Sequence, residues 1–365
     1  MNDKHDSIVE LRSAIVGYPM PEPIAAGRWL LETVYAILAE VRSVSGSSGI
    51  GYAFVFRKAD AQIILAAIQA FQEVVIGRDP MDSISLHADL RAAANFVGAT
   101  GAAMSGIGAI DLAIWDLKGK LLHVPVHTLL GSTKTRIPAY ASGGSSSKSL
   151  DALEHEIKGY LTQGFNAVKI KLPANVREAC KRIVACHSWV GDHVKVLYDS
   201  NQQQTYKDAI EIARCCTDNG AYWYEEPFPF YQLSFYAELR RSIPCRLALG
   251  ETFYGEVPFH DALCIGAADV LMPNLHKVGG VTAWTRIAGM SMLAGIPLSS
   301  HTMPEVSAHV MSATLKAEML EYMKDSHPLY EQPFPIEEGC IVISPDEPGF
   351  GLHPSKMVRD ALGIA

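Results

Sequence analysis

The sequence predicts an α/β protein, an α+β N-terminal unit followed by a (β/α)8 barrel. Three observations predict it. Residues 1–60 are dense in β-branched and aromatic residues, and residues 60–131 carry apolar positions at helical spacing. From residue 136 onward, eight short apolar runs alternate with helical segments. Strands and helices in separate runs make an α+β unit. Strands that alternate with helices make βαβ units and a parallel sheet, and eight of them suit a closed barrel better than an open doubly wound sheet.

Taken in order, "TVYAILAEVRSV" reads as a strand, and "SGSSG" before "IGYAFVF" reads as a hairpin turn. "DAQIILAAIQAFQEVVIG" begins at an Asp cap and ends on glycine, so it is a helix, as is "IGAIDLAIWDLKGKLL". The eight runs are "RIPAYAS", "NAVKIKL", "VKVLYDSN", "YWYEEP", "RLALGET", "DVLMPN", "IPLSSH" and "EMLEY". The last seven end on Lys169 and Lys171, Asp199 and Asn201, Glu225, Glu251, Asn274, His301 and Glu321. Barrel active sites lie at the C-terminal strand ends, so these groups share one mouth.

Composition narrows the function. The chain has 365 residues, 48% hydrophobic and 19% charged, with a formal net charge of -8. No basic arm or lysine block is present, so nucleic acid is not an expected partner. "MNDKHDSIVELRSA" lacks a secretory apolar run, and "AQIILAAIQAF" is too short to span a bilayer, so no membrane partner is expected. Seven scattered cysteines, an odd count without a C-x-x-C pair, fit a reduced, cytoplasmic protein. No G-x-G-x-x-G follows the first strand and no P-loop occurs, so a nucleotide-binding fold lacks its signature.

Asp199, Glu225 and Glu251 end three successive strands. Three converging carboxylates repel one another unless a cation joins them, and an oxygen-only ligand set suits Mg2+ rather than zinc. Lys169 and Lys171 flank one isoleucine, so on a strand both ammonium groups face the same way. A lysine beside another cation has a lowered pKa and can act as a base, while the metal stabilises the enediolate formed from a carboxylate substrate.

"AVKIKL", "DSNQ", "YEEP", "GET", "MPN…KVGGVTAW" and "PLSSH", with the earlier "GIGAIDLAIWDLKGK" and the late "PGFG", follow the order and spacing of the enolase superfamily. The chain resembles its mandelate racemase-like subgroup over nearly its whole length. The resemblance implies an α+β capping domain at 1–131, completed by the tail 330–365, and a catalytic barrel at 132–329. It implies one Mg2+ held by Asp199, Glu225 and Glu251, with Lys171 as the proton-abstracting base. Lys169 would contact the substrate carboxylate, Glu321 would hydrogen-bond it, and Asn201 would lie near metal and substrate. Glu226 should face the other side of its strand. The stretch "GYPMPEPIAAGRW" would be a lid loop, with Arg28 read as a surface arginine rather than a substrate contact. The resemblance also implies a homo-oligomer, an octamer among the options.

One position departs from the family pattern. Where racemase-like members pair an Asp with the histidine of the seventh strand, this chain has Asn274. An Asn carbonyl can accept the imidazole N–H of His301 but supplies no charge to an imidazolium. The expected function is therefore Mg2+-dependent removal of the α-proton of a small carboxylate substrate, leading to dehydration of a hydroxy or sugar acid. The alternatives are a racemase or epimerase and, from another class, a retired scaffold that only binds ligands.

Overall fold

The computed structural model describes residues 6–26 and 29–364; Arg28 lies outside the described residues. The chain opens with an antiparallel sheet of β1 (Ile8–Ala26), β2 (Trp29–Ser43) and β3 (Ser48–Val55), in that order. The turn expected at "SGSSG" joins β2 to β3. Helices Lys58–Ala70, Ser83–Ala93 and Gly101–Leu122 follow. Asp60 sits within the first turn of its helix rather than at the cap, where its charge still meets the positive end of the helix dipole. Ile37, Ala39 and Val41 of the sheet bury against Ile64, Ile68, Ile107 and Ile114 of the helices.

"GYPMPEPIAAGRW" is not a loop. Apart from Gly27 and Arg28, which lie outside the described residues, it belongs to the long β1–β2 ribbon, with a register shift between Pro19 and Ile24. Prolines cannot donate to a ladder, so the slip falls where the sequence places them. The ribbon is fastened to the barrel: Ala25 N–H donates to Ser145 Oγ (2.9 Å), Ser146 N–H donates to the Ala25 carbonyl (3.2 Å), and Lys148 pairs with Glu22 (2.6 Å).

The barrel strands are β4 (Arg136–Gly143), β5 (Ala167–Lys171), β6 (Lys195–Asp199), β7 (Trp223–Glu225), β8 (Leu247–Leu249), β9 (Val270–Leu271) and β10 (Leu320–Tyr322). Neighbours pair in parallel, and β10 returns to pair with β4. The run "IPLSSH" supplies no strand but one bridging residue, Leu298, which links Leu271 to Ala317 and closes the ring. Tyr140, Ala167, Leu197, Trp223, Val270, Met272 and Met319 share an apolar cluster. Two residues on from Tyr140, Ala167, Leu197, Trp223, Met272 and Met319 stand Ser142, Lys169, Asp199, Glu225, Asn274 and Glu321. The strand period of two therefore sets a polar layer directly above an apolar plug.

The tail is divided. β11 (Ile336–Glu337) and β12 (Cys340–Val342) extend the barrel sheet, β12 antiparallel to residues 136–138 of β4, whereas helix Lys356–Leu362 lies against β1 and β2. Two buried aspartates of helix Gly101–Leu122 tie these parts together. Asp116 accepts from Ile50 N–H of β3 and Phe350 N–H of the tail (both 2.9 Å). Asp111 accepts from Thr282 N–H (3.0 Å) and Oγ1 (2.6 Å) of the barrel helix Gly280–Ala294. Among the described residues, no helix is long and apolar enough to cross a membrane.

The same helix presses on the segment after Asn274. A Cβ on Gly108 would lie 2.3 Å from the His276 carbonyl oxygen and 2.8 Å from its Cα. Gly108→Ala is expected to cost about 1–3 kcal/mol through overpacking. Gly159→Ala, on a helix with open space around it, should be neutral or slightly stabilising. Thermal unfolding of the two variants checks this; equal midpoints would contradict the close contact.

Candidate active site

The polar layer begins with the register of the central strands. Lys171 stands beside Asp199, and Asp199 beside Glu225, as paired positions of β5, β6 and β7. Glu251 follows β8. One carboxylate oxygen each of Asp199, Glu225 and Glu251 lies within 4.8 Å of the others, a group able to hold a metal ion. Trp223 Nε1 donates to Glu225 Oε2 (3.0 Å) and fixes its orientation from below. Glu226 turns away from this cluster, as strand alternation requires. Its carboxylate accepts from Gly250 N–H (3.1 Å), from Thr252 Oγ1 (3.3 Å) and from Gln202 Nε2.

The lysines fill the space between the acids. Lys169 is buried, with Nζ 2.7 Å from Glu225 Oε1 and 2.6 Å from Glu321 Oε1. Lys171 Nζ donates to Asp199 Oδ2 (2.9 Å) and reaches Asn201 Oδ1 (3.4 Å). Asn201 in turn holds Asp199, donating from its backbone N–H (2.7 Å) and from Nδ2 (2.9 Å). The lowered lysine pKa expected from the pair is not what these contacts produce. Burial works most strongly against the charge on Lys171, and Lys169 adds to it, but Asp199 and Glu251 together outweigh them, and the group is held above the usual lysine range. Burial likewise opposes the charge on Lys169, and Glu225 and Glu321 overcome it by a wide margin. The carboxylates, not the like-charged neighbour, decide the proton while they are free to act as lysine partners.

Glu321 receives hydrogen bonds from every side. Ser142 Oγ donates to Oε1 (2.6 Å) and Thr302 N–H to Oε2 (2.8 Å). Burial would raise its carboxyl, but Lys169 and His301 draw it down to about 2. Ser142 thus completes the mouth: the first run also delivers a polar side chain, one that its "YAS" ending showed at the alternate position but that sequence reasoning passed over. Thr302, missed as well, has φ of 51°, as does Met303. Two successive left-handed residues cost of order 1–3 kcal/mol each, offset here by the Thr302–Glu321 bond.

Asn274 meets His301 through its amide nitrogen rather than its carbonyl, contrary to the sequence expectation. Asn274 Nδ2 lies 3.0 Å from His301 Nδ1. Two further bonds fix the amide this way round. Asn274 Oδ1 accepts from Lys277 N–H (3.3 Å), capping the short helix Leu275–Val278. Thr302 Oγ1 already donates to the His301 carbonyl (2.8 Å), so it accepts from Asn274 Nδ2 (3.1 Å). His301 Nδ1 must then be an acceptor, which leaves the proton of the neutral ring on Nε2. That nitrogen faces Glu251 Oε2 at 3.0 Å. Lys277 Nζ donates to the Glu251 carbonyl (3.0 Å) and steadies the same loop.

Comparison with known proteins agrees with this arrangement. The family model described as the mandelate racemase / muconate lactonizing enzyme N-terminal domain matches residues 10–131, and the enolase C-terminal domain-like model matches residues 152–358. The chain is 28% identical over 365 residues to L-talarate/galactarate dehydratase of Salmonella typhimurium, covering 97% of this chain and 90% of that one. It is 29% identical over 265 residues to arabinonate dehydratase of Saccharolobus solfataricus, covering 70% and 71%. The crystal structure of the Salmonella dehydratase liganded with Mg and L-lyxarohydroxamate superposes with a TM-score of 0.93 at 26% identity, over 98% of this chain and 93% of that one. The chain belongs to the mandelate racemase/muconate lactonizing enzyme group of the enolase superfamily.

Proposed function

We propose that this protein is a Mg2+-dependent dehydratase of sugar acids that begins by removing the proton α to the substrate carboxylate. The observation that carries this is the three-carboxylate cluster flanked by Lys171 at Asp199 and by the Nε2–H of His301 at Glu251. Asp199, Glu225 and Glu251 offer only oxygen donors, which suits Mg2+. The ion, when bound, neutralises these carboxylates and stabilises the charge that builds on the substrate carboxylate.

With Asp199 occupied in that way, Lys171 loses its strongest partner and keeps a cationic neighbour in Lys169, the condition for a neutral amine. Lys169, steadied by Glu321, meets the substrate carboxylate. Lys171 Nζ takes the α-proton, and the C–H electron pair moves into the Cα–carboxylate bond to form the enediolate. Its collapse expels the β-hydroxyl with the bonding pair. The ammonium of Lys171 returns its proton to the departing oxygen, so water leaves and the amine is restored. The enol that results becomes a 2-keto acid. Asn201 keeps Asp199 and Lys171 in place.

His301 bears its proton on Nε2, so it holds a substrate hydroxyl on the opposite face and does not abstract a carbon-bound proton. A racemase needs a base on both faces, and this site has one. The relatives described above include two sugar-acid dehydratases, which supports the same choice. A retired scaffold would have no need to keep all three carboxylates and both lysines. We further propose the division into a cap at 1–131 with the tail and a barrel at 132–329. A cytoplasmic homo-oligomer fits the free cysteines among the described residues and the exposed Phe96 and Val97.

Three outcomes are expected. Glu225→Gln removes one negative charge at nearly constant shape and should lower Mg2+ affinity by at least about 100-fold, since even changes beyond the direct ligands cost roughly 10–100-fold. Full activity of this variant in EDTA would rule out the metal site. Lys171→Ala should slow α-proton exchange in D2O by about 10²–10⁴-fold, the usual worth of a positioned base. Exchange that survives in Lys171→Ala but disappears in Lys169→Ala would reverse their roles. Nitrogen-15 NMR of His301 should show the proton on Nε2 in the unmutated protein, and Asn274→Asp should transfer it to Nδ1 and speed exchange of the epimer whose α-proton faces His301. A proton on Nδ1 in the unmutated protein would contradict the amide orientation.

A further inference from the structure

A second polar group lies one step beyond the catalytic layer, between the barrel and the cap sheet. The segment after His301 and the segment after β10 run side by side. The first rung between them is Thr302 N–H to Glu321. The next is Ser326 Oγ to Glu305 Oε2 at 2.7 Å. Glu305 and Asp325 are buried, 1% and 6% exposed, and each keeps one oxygen without a hydrogen-bond partner, Glu305 Oε1 and Asp325 Oδ1. From the cap sheet, the buried Tyr52 of β3 adds a hydroxyl that is also without a partner. Buried polar atoms left unpaired cost about 1–3 kcal/mol each, so the free oxygens of Glu305 and Asp325, with the Tyr52 hydroxyl in their field, can take hydrogen bonds from a ligand.

The charge of this group is as informative as its vacant valences. Among the described residues, no lysine or arginine pairs with either carboxyl; the basic group near Glu305 is His327, at 3.8 Å. Burial raises Glu305 to about 7, with Asp325 adding to the rise, and raises Asp325 to about 6, with Glu321 adding to it. The Tyr52 phenol is pushed well up by burial, by Tyr330 and then by Glu305 and Asp325, so it remains a donor as well as an acceptor. Such a group accepts hydrogen bonds from hydroxyls and repels an anion.

We infer that Asp325, Glu305 and Tyr52 bind the hydroxyl-bearing end of the substrate remote from its reacting carboxylate, and thereby select sugar acids with one carboxylate over those with two. This rests on the dehydratase reading of the site above. The two relatives do not decide the matter, since one is named for a diacid and the other for a monoacid.

The test is calorimetric binding to the full chain with saturating Mg2+, using matched pairs: galactonate against galactarate, and gluconate against glucarate. In at least one pair the monoacid should bind ten or more times more tightly. Asp325→Asn and Glu305→Gln should each narrow that ratio several-fold. Diacids that bind as tightly as their monoacids in both pairs, no binding of either class, or a ratio unchanged in both variants would overturn the inference. Selective binding of the monoacid without loss of water would leave this subsite standing and remove the dehydratase reading.

Discussion

The site depends on the repulsion among three carboxylates. Asp199, Glu225 and Glu251 bring oxygens within 4.8 Å of one another at the mouth of a closed barrel. At an effective dielectric of about 20, each pair at that range repels by roughly 3–4 kcal/mol. Such a cluster persists only if cations answer it. In this structure they are the ammonium groups of Lys169 and Lys171, and His301 adds a hydrogen bond from its Nε2–H to Glu251. The residues that hold the acids together are thus the residues with chemistry to perform once a divalent ion takes the carboxylates. In the proposed mechanism, placing Mg2+ and preparing the base would be one event, because the ion and Lys171 would compete for Asp199.

The scaffold keeps that competition in register. Strand alternation puts Ser142, Lys169, Asp199, Glu225, Asn274 and Glu321 each two residues above an apolar residue, so a one-residue slip would bury the lysines in the helix layer. The cap is held to this framework by Asp111 and Asp116, two acids on one helix that bond backbone N–H groups of the barrel helix, the cap sheet and the tail. Gly108 of that helix lets it touch the loop that carries Asn274. The geometry of His301 therefore depends on packing between cap and barrel as well as on its own segment.

Much of this was legible in the sequence, because a period of two and the ordered strand ends are local properties. The barrel, the three acids, the two lysines and the outward turn of Glu226 all follow from them. What was not legible depended on distant partners. Asn274 reads as a carbonyl acceptor until Lys277 N–H and Thr302 Oγ1 claim its two ends and turn the amide round. The lysine pair reads as self-repelling until Asp199, Glu225 and Glu321 are seen against it. The "IPLSSH" run looks like a strand yet contributes a single bridging residue, Leu298, and the proline-rich stretch looks like a loop yet pairs as a ribbon. Glu305 and Asp325 carry no local signal at all; only the crossing of two segments makes them neighbours.

The most direct test of the competition between metal and lysine is Mg2+ titration calorimetry on the unmutated protein and on Lys171→Met, which keeps the stem of the side chain and removes its charge. The unmutated protein should bind one Mg2+ per chain, and Lys171→Met should bind it at least as tightly, since the ion no longer displaces an ammonium from Asp199. Weaker binding in Lys171→Met, or no binding by either protein, would contradict the account.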